Sequence, residues 1–167
     1  MRETTAGCTT RLATAADIGG LAALLVEMVR YYGDPPADET AVAAALRRHV
    51  FTPGSGIEML LAEIGGRIVG FASLSPLFPV DGVRPALYLK ELFVSGTARS
   101  GGVGRTLLVA VARMAHERGC VRVNWASARD NDGAIRFYEG IGATSVDSAC
   151  YFELDAEAIA ALLDGDS

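Results

Sequence analysis

The stretch "RSGGVGRTLL", residues 99–108, decides the fold. It sets Gly101, Gly102 and Gly104, with Arg99 and Arg105, where an apolar run ending at Val94 gives way to a helix-like run beginning at Val103. Glycine inside regular structure costs roughly 0.5–1 kcal/mol relative to alanine, so this cluster needs a reason. Between the carboxyl end of a strand and the start of a helix, glycines let the backbone approach a ligand and turn its amides inward. Those amides, with the helix dipole, favour a phosphate, and Arg99 and Arg105 add positive charge. The alternative is a glycine-rich turn with no ligand, since short motifs match by chance. A P-loop fails, because G-x-x-x-x-G-K-[ST] needs glycine at Arg99 and lysine at Arg105. A dinucleotide fingerprint fails too, because Gly102-x-Gly104 is followed by Leu107 where glycine is required.

Working outward, "ALYLKELFV" (86–94) reads as the strand before the glycines. After them, Val103, Leu107, Ala110, Val111, Met114 and Ala115 mark one face of a helix ended by Gly119. Upstream, "TRLAT" (10–14) is a short strand. "TAAD" resembles a capping box with Thr14 as N-cap. Leu21, Leu24, Leu25 and Met28 predict a helix over 15–31, stopped by Gly33 and Pro35-Pro36. A second helix spans 38–50. Strands over 57–64 and 67–75 join at Gly65-Gly66, a two-residue hairpin signal. "FPVDGVRP" (78–85) reads as a loop. Downstream come a strand over 120–127, a short helix within 131–143, a last strand over 151–154 and a terminal helix over 155–163. This order predicts one α/β domain over 1–167, with a mixed sheet of about six to seven strands and helices on both faces. Crossovers would make its central strands parallel and leave a crevice at their carboxyl ends.

The 167 residues are half apolar, with mean hydropathy +0.28, as expected of a globular chain. No run of about 18 apolar residues is present, so no membrane span is expected. Residues 1–8 lack the apolar core of a signal peptide, and the expectation is a cytoplasmic protein. Net charge is −5 without a Lys/Arg block, which argues against nucleic acid and mildly favours cationic substrates. Cys8, Cys120 and Cys150 are scattered, and His49 and His116 lie outside metal-ligand spacing, so no metal is expected. Cys120 and Cys150 fall in strand-like contexts, where a free cysteine behaves as a small hydrophobe.

Three segments together resemble the GCN5-related N-acetyltransferase (GNAT) family. "RSGGVG" is similar to its R/Q-x-x-G-x-G/A acetyl-CoA pyrophosphate loop, "YLKELFV" (88–94) to its splayed fourth strand, and "NDGAIRFYEGIGA" (131–143) to its N-x-x-A-x-x-F-Y-x-x-x-G-A segment. The layout most resembles the diamine and polyamine acetyltransferase branch. The resemblance implies transfer of an acetyl group from acetyl-CoA to a primary amine by direct attack, and a homodimer in which "CYFEL" (150–154) pairs across subunits. It implies that main-chain groups of Leu92, Phe93 and Val94 pair with the pantetheine arm. Amides of Arg99, Ser100, Gly101, Gly102, Val103, Gly104 and Arg105 would hold the pyrophosphate. Asn131 matches the cofactor-side asparagine and Tyr138 the tyrosine near the leaving sulfur. Tyr31, Tyr32 and Lys90 fall at the acceptor side. Two acids of the polyamine branch are missing, since Lys90 and Tyr32 stand at their positions, which widens the acceptor class to aminoglycosides, amino-acid-like amines or a protein N-terminus or lysine. A non-catalytic acyl-CoA-binding module is the remaining alternative.

The chemistry suits these residue types. A primary amine must lose a proton before attack, and a thiolate with a pKa of about 8.5 must leave. A tyrosine hydroxyl near the sulfur can donate a proton as charge develops there. Tyr138 reads equally as core packing beside Phe137, and Asn131 as a helix N-cap. Trp125 reads as a core residue, and both histidines as solvated. Lys90 and Glu91 are adjacent, so a regular strand sends them to opposite faces. A lysine, with an ordinary pKa of about 10.4, is no base at neutral pH. Glu91 is therefore the candidate base, directly or through one water. The alternative is a structural ion pair for Glu91 and proton loss to bulk water.

Overall fold

Hairpins build most of the sheet. Gly65 and Gly66 take positive φ values of 58° and 77° between β2 (Glu58–Ile64) and β3 (Arg67–Val80). A two-residue turn with both φ positive matches the twist of the strands it joins. A computed structural model describes residues 7–146 and 152–164. In it β1 (Cys8–Leu12), β2, β3, β4 (Arg84–Val94) and β5 (Val123–Asn124) form one sheet in that spatial order. The first three pairings are antiparallel and only β4–β5 is parallel. This corrects the expectation of parallel central strands. Tight turns force antiparallel neighbours, and among the described residues α3 (Val103–Glu117) is the only helical crossover between paired strands.

The sheet has helices on both faces, as the patterning predicts. Leu61, Phe71 and Phe93 lie opposite one another across β2, β3 and β4. They pack with Ile18, Leu21, Ala22 and Leu24 of α1 (Ile18–Tyr32) and Leu46 of α2 (Glu39–His49). Gly70, one residue before Phe71, faces the other way. A Cβ there would lie 3.3 Å from Leu107 Cδ1 and 3.4 Å from Val103 Cγ1 of α3. Val103, Leu107, Val111 and Ala115 are buried, which is the face read from the sequence. The Thr14–Asp17 cap is present, with the Thr14 amide donating to Asp17 Oδ2 at 2.7 Å. It closes a 3-10 turn over Ala15–Asp17, after which α1 begins.

Three other expectations change. Residues 78–80 and 84–85 belong to strands, and only 81–83 turn between them. Pro79 reads as a breaker, yet it falls at a ladder irregularity between Leu77 and Val80, where a missing amide costs little. The strand expected over 120–127 shrinks to two residues, and Cys120 precedes it. Its pairing stops at Tyr88↔Asn124, two residues before a bulge at Lys90 that bends β4. The last strand is also missing from its described part. Residues 152–154 are irregular, with Phe152 88% exposed, while Cys150 and Tyr151 lie outside the described residues. Among the described residues the count is five strands, against the six to seven expected.

The chain divides into two compact units, up to Ala126 and from Ser127 onward. The second contains α4 (Asp132–Gly140) and α5 (Ala156–Asp164), the latter capped by Asp155 Oδ1 accepting from the Ala158 amide at 2.8 Å. Among the described residues, no helix is long and apolar enough to cross a membrane.

Candidate active site

The glycine loop joins β4 to α3 through a 3-10 turn at Gly96–Ala98. Gly102 is the N-cap of α3 in the left-handed region, with φ 78°. A side chain is disfavoured there, which explains one of the three glycines. Ser100 also has a positive φ, 64°, a conformation uncommon outside glycine. The first turn of α3 closes with the Thr106 amide on the Gly102 carbonyl at 3.0 Å. The amides of Val103, Gly104 and Arg105 precede that bond and have no acceptor within the helix. The loop therefore presents donors and the positive end of a helix dipole.

Arg99 is held on three sides. Its Nε donates to the Val94 carbonyl at 3.0 Å. Its Cζ lies 3.8 Å from the Tyr31 ring centroid and 5.4 Å from that of Phe93. The corner before it is fixed from α1, where Glu27 Oε1 accepts from the Gly96 amide at 2.7 Å and the buried Ser95 hydroxyl at 3.0 Å.

β4 is two-sided only for part of its length. Leu92, Phe93 and Val94 pair with Ala72, Phe71 and Gly70 of β3. On the other side, pairing with β5 ends at Tyr88, so from Leu89 to Val94 that edge has no strand partner among the described residues. An unpaired edge offers amides and carbonyls to an extended, amide-bearing ligand.

Lys90 is the extra residue of the bulge, because Ser73 pairs with Glu91 and Leu74 with Leu89. Its side chain is exposed and makes no ion pair among the described residues. Glu91, opposite Ser73, shares the face of Phe93 and Phe71. There the Tyr32 hydroxyl donates to Glu91 Oε1 at 3.0 Å. Tyr31 and Tyr32 meet edge to face, with centroids 5.3 Å apart. Both are more than half-way exposed or close to it, at 58% and 50%. The end of α1 thus places two aromatic rings and a carboxylate on one side of the free-edged strand.

In the second unit, Asn131 is the N-cap of α4, its side chain accepting from the Ala134 amide at 3.1 Å. Tyr138 is half-buried, its ring 5.4 Å from that of Phe137. Of the expected site residues, Tyr31, Tyr32, Glu91, Phe93 and Arg99 are joined by direct contacts in the first unit. Lys90 stands outside that cluster. Trp125 is half-buried, and His49 and His116 are exposed. Burial of Cys8 pushes its thiol pKa up, which suits a core residue and not a nucleophile. No cluster of three or more His, Cys, Asp or Glu among the described residues is placed to hold a metal ion. Sequence reasoning missed Glu27. The signal was available, because Glu27 and Tyr31 are four apart and share a helix face.

The family model described as "Acetyltransferase (GNAT) family" matches residues 22–143, more than half of the chain. An L-ornithine N5-acetyltransferase of Arabidopsis thaliana is 36% identical over 76 residues, covering 46% of this chain and only 33% of that protein. A thialysine N-epsilon-acetyltransferase of Sus scrofa is 25% identical over 148 residues, covering 83% of this chain and 85% of that one. Among solved structures, an integron cassette protein from the mobile metagenome of V. cholerae superposes with a TM-score of 0.88 at 29% identity, covering 94% and 98% of the two chains.

Proposed function

The chain belongs to the GNAT acetyltransferase family, and on that premise we propose that it moves the acetyl group of acetyl-CoA onto the primary amine of a small molecule. The observation that carries this is the geometry of β4. One strand combines an edge from Leu89 to Val94 without a strand partner among the described residues, a carboxylate at Glu91 and, beyond its end, the amide-lined turn capped by Gly102. In this reading the edge at Leu92, Phe93 and Val94 takes the pantetheine arm. Arg99 and the amides through Arg105 take the pyrophosphate, which suits both their charge and the helix start. Glu91 accepts the proton of the attacking amine, and Tyr32 orients its carboxylate. The amine nitrogen bonds to the thioester carbon, and the carbon–sulfur bond breaks. Tyr138 returns a proton to the departing thiolate; similarity of 131–143 to the family segment supports that role.

The acceptor is a small amine on two grounds. Tyr32, half exposed, stands beside the Glu91 carboxylate, and an aromatic ring next to a carboxylate favours an ammonium. Two similar proteins are named for ornithine N5 and thialysine Nε acetylation. A homodimer, which rests on the family resemblance, and a cytoplasmic location belong to the same proposal. The test is release of free CoA thiol from acetyl-CoA with a panel of ornithine, thialysine, lysine, putrescine, spermidine, an aminoglycoside and a lysine-containing peptide. Turnover on one or more small amines, above the peptide, is expected. Acetyl-CoA binding without turnover on any amine would replace the enzyme by a binding module, and turnover on the peptide alone would reject the small acceptor.

A further inference from the structure

Tyr31 stands at the acceptor end of α1, yet its ring face is covered by a residue of the cofactor loop. The Arg99 guanidinium carbon lies 3.8 Å from the Tyr31 centroid, well inside the roughly 6 Å at which a cation is attracted to a ring. Phe93 closes a second side at 5.4 Å, and Arg99 Nε is fixed on the Val94 carbonyl. These three contacts occupy the ring side and one donor of the guanidinium. Its two terminal nitrogens make no hydrogen bond or ion pair among the described residues. A fork with its Nε tethered and its plane stacked loses little rotamer freedom when it meets an anion, and a planar fork matches phosphate oxygens.

We propose that Tyr31 is a positioning residue for the cofactor rather than a contact for the acceptor: it holds Arg99 so that the free end of the guanidinium meets the pyrophosphate of acetyl-CoA. This rests on the reading of residues 99–105 as the pyrophosphate loop. Tyr31 acts through its ring face and not its hydroxyl, because the stack is with the centroid. The same ring meets Tyr32 edge to face, and Tyr32 bonds Glu91, so one chain of contacts runs from the carboxylate of the acceptor side to the cofactor loop.

The experiment measures acetyl-CoA affinity by calorimetry, without acceptor, for wild type, Tyr31→Phe, Tyr31→Leu, Arg99→Ala and the Tyr31→Leu/Arg99→Ala double variant. Tyr31→Leu keeps apolar bulk, which guards the fold of the helix end, and removes only the ring. The expected result is affinity within about twofold of wild type for Tyr31→Phe. Tyr31→Leu should weaken binding about fivefold to tenfold, the scale of a partly desolvated cation–π contact. In the Arg99→Ala background the same change should have no further effect. In a parallel series with S-acetyl-pantetheine as donor, which has no pyrophosphate, Tyr31→Leu should lose less kcat/KM than it loses with acetyl-CoA. Additive losses in the double variant, equal losses with both donors, or unchanged acetyl-CoA affinity in Tyr31→Leu would each overturn the role of Tyr31. Absence of acetyl-CoA binding by the wild type would instead overturn the pyrophosphate loop itself.

Discussion

Glu91 and Lys90 are neighbours in sequence with opposite prospects, and the bulge at Lys90 is what separates them. The extra residue leaves Glu91 opposite Ser73, on the face of Tyr32, and leaves Lys90 exposed outside the ladder. An acceptor amine with a pKa near 10 is almost wholly protonated at pH 7, so a base placed beside it matters most at neutral pH. Glu91→Gln keeps the Tyr32 hydrogen bond and removes the base. Its kcat/KM should fall by about 10²-fold near pH 7 and recover part of that loss near pH 10, where the amine is already neutral. Tyr138→Phe should behave differently. The leaving thiolate needs its proton at every pH, so kcat should fall about 10²-fold or more with no recovery, while acetyl-CoA affinity stays near wild type. pH–rate profiles of both variants check the pair. A small, flat loss for Glu91→Gln would make water the proton acceptor, and unchanged kcat for Tyr138→Phe would leave its hydroxyl structural.

At the scale of elements, the position of α3 depends on a residue that carries no chemistry. A Cβ at Gly70 would lie 2.9 Å from the Phe93 carbonyl oxygen, a backbone atom that cannot swing aside, and within 3.4 Å of Leu107 and Val103. Gly70→Ala must therefore push α3 or bend β3. Overpacking of this kind costs about 1–3 kcal/mol, and each kcal/mol lowers Tm by about 2–4 °C in a chain of this length. Because α3 begins at the glycine loop, acetyl-CoA affinity should drop together with Tm. Thermal melts and calorimetry on one preparation check both, and an unchanged Tm would show that the layers give way freely. Gly70 also marks the limit of what the sequence discloses. Its neighbours read clearly as strand, but which face meets a helix at contact distance depends on register, and register depends on bulges. Those bulges have no local signature. Lys90 looks like any polar residue of an alternating strand, and Val69 is skipped because Ala62 pairs with Gly70 and Glu63 with Ile68. The extent of β5 was hidden for the same reason, since it is set by where β4 bends and not by "CVRVNWAS". The glycine loop, the hairpin and the buried face of α3 were legible because each is encoded within one segment. The stack of Arg99 on Tyr31 was not, because it joins residues 68 apart in number.

At the scale of the whole sheet unit, one arginine ties the start of α1 to the first two strands. Arg11 on β1 donates to both carboxylate oxygens of Asp17, at 2.8 and 2.6 Å, and to Glu63 Oε1 on β2 at 2.7 Å. The Thr14 amide adds a further bond to Asp17. Together these donors, Arg11 first, hold the Asp17 carboxyl well below the usual carboxylate range. The folded value lies below the unfolded one, about 3.9, so the stabilisation is complete above that pH and is lost as pH falls toward the folded value. Arg11 is 38% exposed at its side chain and Asp17 only 11%, so solvent screens the pair from one side and a contribution of about 1 kcal/mol is the right scale. Asp17→Asn retains an acceptor for the Thr14 amide and removes the charge. Its Tm at pH 7 should lie about 2–4 °C below wild type, with the gap shrinking progressively below about pH 4 as the unfolded wild-type chain takes up the Asp17 proton that the folded one does not. Added salt should narrow the gap at pH 7 as well, because the arginine end is open to ions. Melts from pH 7 to pH 2.5 decide it. A gap of constant size across that range would mean that Asp17 stabilises the helix start through its hydrogen bonds alone, and that the charge on Arg11 is satisfied by Glu63.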